Sequence, residues 1–332
     1  MTDLGTTAAI FGCLGPTLLP QEKAFFRDAD PFGFIVFARN VETPDQLYRL
    51  TSDLRASVGR DALVMVDQEG GRVQRLRAPH WRDWTPPLDA IAAAKNLTAA
   101  CRIMALRASL IASELRAVGI DANCAPVADI ATAATHPFLR NRCYGTDAAS
   151  VTAIAPAVAA AYLAGGVLPV IKHMPGHGRA AGDSHLDLPT VTTDAATLNT
   201  TDFAPFRALA DLPMAMTAHI VFTAFDAVNP ATQSSRMIDV IRTDIGFQGV
   251  LMTDDLNMQA LSGTLADRTA KSILAGCDIA LHCKGDMAEM QAVAVAAGPM
   301  GSDTLTRARR AMALRSSPTI DIAALEAALA DA

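Results

Sequence analysis

A single (β/α)8 barrel of the TIM type is the fold class this sequence predicts. Eight short apolar runs recur along the chain, helix-compatible segments separate them, and polar residues gather where the runs end. The length of 332 residues agrees, because such a barrel needs about 250 or more. Strands covered on both faces read as near-continuous hydrophobic runs, and several of these do.

The runs are Ala8–Gly12, Gly33–Phe37, Leu63–Val66, Asp121–Ala125, Leu168–Lys172, Met214–Ala218, Val250–Thr253 and Ile279–His282. Between them lie the helix-compatible stretches Thr43–Val58, Thr98–Val118, Ala149–Ala164, Thr201–Ala210, Met237–Thr243 and Leu265–Ala275. The most apolar segment, Val151–Val167, is alanine-rich and sits between two strand candidates. It therefore reads as a packed helix, not as a membrane span of roughly 18 or more uninterrupted apolar residues. The tail Ser317–Ala332 reads as one closing amphipathic helix. No repeat, linker or compositional break divides residues 1–332, so the expectation is one domain.

Alternating strands and helices would also suit a large doubly wound sheet. The polar residues favour the barrel. Asp67-Gln68-Glu69 follows the third run, Asp129 trails the fourth, and Lys172-His173 ends the fifth. His219 follows the sixth, Asp254-Asp255 the seventh, and His282 ends the eighth. A barrel collects all these strand ends on one rim, whereas a doubly wound sheet concentrates its chemistry at a single switch point.

Composition narrows the function. With 51% apolar and 19% charged residues the chain is globular with a large core. A net charge of −6 and the lack of any dense Lys/Arg run argue against a nucleic-acid partner. The start, MTDLGTTAAIFGCLG, has no basic segment leading into a long apolar one. Cys13, Cys101, Cys124, Cys143, Cys277 and Cys283 show no CxxC spacing and read as free thiols of a reducing cytoplasm. No membrane association is expected.

Four stretches carry candidate chemistry. In GVLMTDDLNM, side chains of an extended chain alternate faces, so one of Asp254 and Asp255 is expected to face the barrel mouth. The other would serve structure, for example as an N-cap of the next helix. VMVDQEGGRVQRL places Asp67 as an acceptor for substrate hydroxyls, beside glycines suited to a tight turn, with Arg72 and Arg75 following. LRNRCYGTD supplies Arg140 and Arg142, whose forked guanidinium groups suit a carboxylate, a phosphate or a sugar oxygen.

The fourth stretch, KHMPGHGRAAGDSHLDLP, holds three of the seven histidines. A metal site at His173, His177 and His185 is disfavoured, because Pro175, Gly176 and Gly178 interrupt the helix that i, i+4 spacing would need. A phosphate cradle lacks an accompanying nucleotide fingerprint. A third reading takes Lys172-His173 as a fixed ligand-binding strand end. Gly176, Gly178 and Gly182 would then hinge a loop on which Asp183 orients His185 for proton transfer.

Together KHMPGHG…DSH…LP, VDQEGGRVQR and MTDDLNM strongly resemble the single-domain bacterial β-N-acetylglucosaminidases of glycoside hydrolase family 3, which act in peptidoglycan recycling. The resemblance runs from about Gly5 to the final helix with the motifs in family order. It implies a (β/α)8 barrel and a retaining double displacement that needs no metal or organic cofactor. Asp254 would be the nucleophile, His185 the acid/base and Asp183 its partner. Asp67, Arg75, Arg142, Lys172 and His173 would form the N-acetylglucosamine subsite, with Asp255 and Met258 lining or supporting it. The implied substrate is a GlcNAc-containing muropeptide, acted on by a cytoplasmic monomer or weak dimer. A phosphorylase is the runner-up, and a sugar-binding barrel without catalysis a third reading. Three departures from the family pattern are Met174 in place of an aromatic residue, Cys143-Tyr144 in place of Ser-Phe, and Asn257 in place of serine.

Overall fold

The computed structural model describes residues 4–182 and 187–332. Eight parallel strands close into a barrel: β1 (Thr7–Gly12), β2 (Pro31–Val36), β3 (Leu63–Val66), β4 (Ala122–Asn123), β5 (Leu168–Met174), β6 (Met214–Thr217), β7 (Val250–Asp255) and β8 (Ile279–His282). Each strand pairs with its neighbours in sequence, and β8 pairs with β1. This is the barrel order, and it excludes the doubly wound sheet. Every residue of β1, β2, β3, β5 and β8 is buried, as expected of strands packed on both faces.

The outer layer comprises α1 (Pro20–Ala29), α2 (Pro44–Val58), α3 (Leu97–Ala117), α4 (Ala148–Ala164), α5 (Ala204–Ala208), α6 (Ser235–Asp239), α7 (Leu265–Ala275) and α8 (Met287–Ala297). Two further helices follow, α9 (Ser302–Met312) and α10 (Ile322–Ala330). Local chemistry sets their ends. Thr43 caps α2 by accepting from Gln46 N–H, with Pro44 in the first turn. Thr264 and Asp267 form a reciprocal capping box on α7. The alanine-rich α4 is a packed helix, burying Val151, Ile154, Val158 and Tyr162. No helix among the described residues is long and apolar enough to cross a membrane.

Some elements differ from expectation. The 237–243 stretch divides into α6 and a π-helical turn, Val240–Asp244. The closing helix begins only at Ile322 and buries none of its residues. It is held at the surface by Arg82, which bonds both Glu114 of α3 and Glu326. Helices α1, α8 and α9 were not legible as apolar repeats. In α1 only Glu22 and Phe26 are buried, and Glu22 spends its carboxylate on the amides of Leu14 and Leu19.

At the N-terminal end of the barrel, buried aspartates tie neighbouring strands to the helices outside them. Asp278, just before β8, accepts from the Leu251 amide of β7 at 2.9 Å and from Arg242 at 2.7 Å. Its second oxygen accepts from Thr304 and Arg307 of α9, both at 2.9 Å. Asp121 repeats the device before β4, accepting from the Val64 amide at 2.8 Å and pairing with Arg55 and Arg315. Removing one partner of a buried charge network typically costs about 3–5 kcal/mol. Asp278→Ala should therefore lower unfolding stability by about that amount in urea titrations. Activity per folded molecule should be retained, since this end of a barrel supports stability and not chemistry.

Candidate active site

The C-terminal strand ends surround a cavity of about 300 Å³. Its walls include Asp67, Arg72, Arg75, Arg142, Lys172, His173, His177, Asp254, Asp255 and Met258. Four strands and their loops, β3, β4, β5 and β7, contribute these side chains. The barrel thus brings together Asp67, Arg75, Arg142, Lys172, His173 and Asp254, which the sequence singled out, along with Asp255 and Met258. Asp183 and His185 lie outside the described residues.

A buried charge network forms one wall. Lys172, only 2% exposed, places Nζ 2.7 Å from Asp67 Oδ1 and 2.6 Å from Glu69 Oε1. Arg142 grips Glu69 with two parallel hydrogen bonds, Nε and Nη2 each donating at 2.8 Å. Arg75 Nη2 donates to the other oxygen of Asp67 at 3.0 Å. Burial alone would raise the carboxyl pKa values of Asp67 and Glu69. The adjacent cations, Lys172 and Arg75 for Asp67, Arg142 and Lys172 for Glu69, outweigh it and hold both below the usual range. Burial would likewise deprotonate Lys172, but Asp67 and Glu69 keep it charged. Arg75 Nε is buried without an acceptor among the described residues.

The sequence predicts that the Arg142 fork meets a ligand. Its bidentate face is instead occupied by Glu69, a residue to which sequence reasoning gave no role. The available signal was spacing: Glu69 stands two residues beyond Asp67, and so on the same side of an extended segment. Asp129 was also without a role. It is fully buried and accepts from His173 Nδ1 at 2.7 Å and from the His177 amide at 2.6 Å. His177 is thereby placed in the cavity wall, its ring edge-on to His173 at 5.5 Å. Burial first, then the neighbouring His173, lowers its pKa to about 4, so it is neutral at neutral pH.

Both acids of the DDL triplet line the cavity, against the expectation that only one would. The β7–β8 register shifts between Met252 and Asp255, and such an irregularity breaks strict alternation of side chains. Asp255 is no helix cap, since Thr264 caps α7. It folds its own loop, accepting from the Asn257 and Cys283 amides, while its carbonyl accepts from His219. A similar shift between Ile171 and Met174 accompanies the side-by-side presentation of Lys172 and His173 in the cavity.

The two acids have different proton affinities. Burial, reinforced by the charge of Asp254, pushes Asp255 up to about 6. For Asp254, burial is outweighed by His173, His219 and the Asp255 amide, which donates to Oδ1 at 2.8 Å. Its carboxyl sits below the ordinary range. Asp254 therefore ionises first and is already charged over the range in which Asp255 titrates.

Two other expectations are corrected. His282 does not line the cavity: Leu281 does, and the next residue on a strand faces the opposite way. Its buried ring packs edge-on to Phe11. The glycines of the histidine-rich stretch do not act alike either. An added Cβ at Gly178 would lie 1.9 Å from the Ile130 carbonyl oxygen, so this glycine permits close packing. At Gly182 the nearest atoms among the described residues are those of Pro189, 3.8 Å from an added Cβ.

A barrel with this rim can be compared with known proteins. The Glycosyl hydrolase family 3 N terminal domain matches residues 21–310. The chain belongs to glycoside hydrolase family 3. The β-hexosaminidase of Methylococcus capsulatus is 36% identical to it over 314 residues, 92% of either chain. That of Xylella fastidiosa is 35% identical over 294 residues, 86% of each. Among solved structures, NagZ from Neisseria gonorrhoeae in complex with N-trifluoroacetyl-D-glucosamine superposes with a TM-score of 0.87 at 29% identity, over 99% of this chain and 97% of that one. This family 3 chain is a glycoside hydrolase of the β-hexosaminidase type.

The network around Lys172 sets a test. Asp67 and Glu69 have depressed folded-state pKa values, so their stabilisation is full above the unfolded carboxylate value of about 4 and is lost as pH falls through the folded values. Lys172→Met should cost about 3–5 kcal/mol at pH 7. The gap to wild type should narrow below about pH 4. Urea titrations at pH 7 and pH 3 measure it, and a gap independent of pH would contradict the assignment.

Proposed function

We propose that this family 3 enzyme is a retaining exo-β-N-acetylglucosaminidase that removes terminal β-1,4-linked GlcNAc from peptidoglycan-derived fragments such as GlcNAc-anhydroMurNAc. The observation that carries the reading is Asp254. It is an ionised carboxylate in the cavity wall, with an adjacent acid whose proton affinity is higher and a dense polar network lining the same cavity. Asp254 Oδ1 is occupied by the Asp255 amide, which leaves Oδ2 for attack on the anomeric carbon.

In this reading Asp67, Arg75, Lys172 and His173, with the Arg142 N–H groups that Glu69 does not use, hold the hydroxyl and acetamido groups of the terminal sugar. Such a charged, pre-ordered set orients the anomeric carbon without rearranging. Asp254 forms the glycosyl ester while His185, oriented by Asp183, protonates the departing oxygen. His185 then takes a proton from water as the ester is hydrolysed, giving the β-anomer. An imidazole, cationic as the acid and neutral as the base, avoids the like-charge repulsion that a second carboxylate would bring beside the ionised nucleophile. The free thiols of all six cysteines support a reducing, cytoplasmic site of action.

Asp254→Ala should reduce kcat by about 10⁴-fold or more, as loss of a covalent nucleophile does elsewhere. His185→Ala should slow release of a natural sugar by about 10²–10⁴-fold, with a smaller loss in the glycosylation step for 4-nitrophenyl β-GlcNAc, whose leaving group needs little protonation. Equal losses on both would remove His185 from the acid role. The reaction itself is checked by NMR of the released anomer, with GlcNAc-anhydroMurNAc and chitobiose compared in the presence and absence of phosphate. An α-anomer would overturn retention, and a sugar 1-phosphate product would overturn hydrolysis.

A further inference from the structure

Arg72 differs from the other cations of the cavity. Lys172, Arg75 and Arg142 each bind a carboxylate of the protein. Arg72 also lines the cavity, yet it is exposed, and it forms no ion pair among the described residues. Its placement is nevertheless constrained. Gly71 and Arg72 make the turn of a small antiparallel hairpin, Gln68–Gly70 against Val73–Gln74. The Gly71 amide donates to the Trp84 carbonyl at 2.7 Å, and Arg77 Nη2 donates to the Arg72 carbonyl at 3.2 Å. The guanidinium lies 6.0 Å from the centre of the Phe138 ring, and its Nη2 donates to the Phe138 carbonyl. Only one of the five N–H groups is used in that bond.

Depth orders the site. Lys172, His173 and Arg142 are buried, whereas Arg72 is exposed at the mouth. An exo-acting enzyme seats the terminal sugar on the buried groups, so the leaving group projects outward past Arg72. A braced guanidinium without a carboxylate of its own is matched by a carboxylate on the ligand, which it meets with charge-assisted hydrogen bonds. We infer that Arg72 is a specificity determinant of the aglycone subsite and selects a leaving-group sugar that bears a carboxylate. The inference rests on the exo-glycosidase reading above. Phe138 is its positioning residue, holding the guanidinium through its carbonyl and ring face.

The test uses GlcNAc-β-1,4-MurNAc and the methyl ester of the same disaccharide, which differ in the negative charge and one methyl group. Wild type should show a higher kcat/KM on the acid, by about tenfold or more. Arg72→Gln should bring the acid-to-ester ratio close to one, while Arg72→Lys should retain part of it. Because the ratio is taken within one variant, a smaller folded fraction does not change it. A ratio near one in wild type, or an unchanged ratio in Arg72→Gln, would overturn the inference. If wild type fails to hydrolyse 4-nitrophenyl β-GlcNAc, the exo-glycosidase reading falls and takes the inference with it. If it hydrolyses that glycoside and the ratio does not respond, only the inference falls.

Discussion

The Lys172 ammonium between Asp67 and Glu69 is the interaction on which the active site depends. Burying one unpaired charge in a barrel mouth would cost several kcal/mol, and this structure buries several. It succeeds because each carboxylate oxygen meets a cation: Lys172 bridges two acids, Arg142 clasps Glu69, and Arg75 holds the far side of Asp67. The network joins the end of β5 to the loop after β3 and reaches the loop after β4. It thereby places hydrogen-bonding groups on one wall of the cavity in fixed positions. A sugar entering the site would meet donors and acceptors already oriented, with little left to reorganise.

The opposite wall depends on departures from regular strand geometry. A regular strand would send Asp254 and Asp255 to opposite faces. The shift in register along β7 lets both reach the cavity, and their environments then separate their proton affinities. Asp129 has the supporting role for the histidines. One buried carboxylate holds the His173 ring and the backbone at His177 together. The same residue type serves the far end of the barrel differently. Asp121 and Asp278 are bound to strand amides and arginines, so their charge is spent on tying helices to strands. Buried aspartates at the two ends thus divide between stability and chemistry.

Much of the barrel was legible because its strands are short, apolar and separated by capped helices. The periodicity that marks a strand needs only local sequence. All eight runs became barrel strands, β4 shorter than its run, and the helix limits agreed best where Thr43 and Thr264 supply caps. Helices α1, α8 and α9 leave little mark in the sequence because their buried faces are narrow or small. The list of cavity residues was also largely legible, since strand ends converge in any barrel. Glu69 and Asp129 were not assigned, because their role is to hold other side chains, and only contacts across the barrel reveal that.

The sequence by itself determined the fold class, the family and the set of polar residues at the strand ends, since all of these are written in local pattern and motif order. Tertiary structure decided which partner each charge has. It assigned the Arg142 fork to Glu69, put Asp255 beside Asp254 through a register shift, turned His282 away, and left Arg72 without a carboxylate among the described residues. The reason is physical. Motifs and periodicity are properties of neighbouring residues, whereas ion pairing and proton affinity depend on distances between groups far apart in the chain, 105 positions for Asp67 and Lys172.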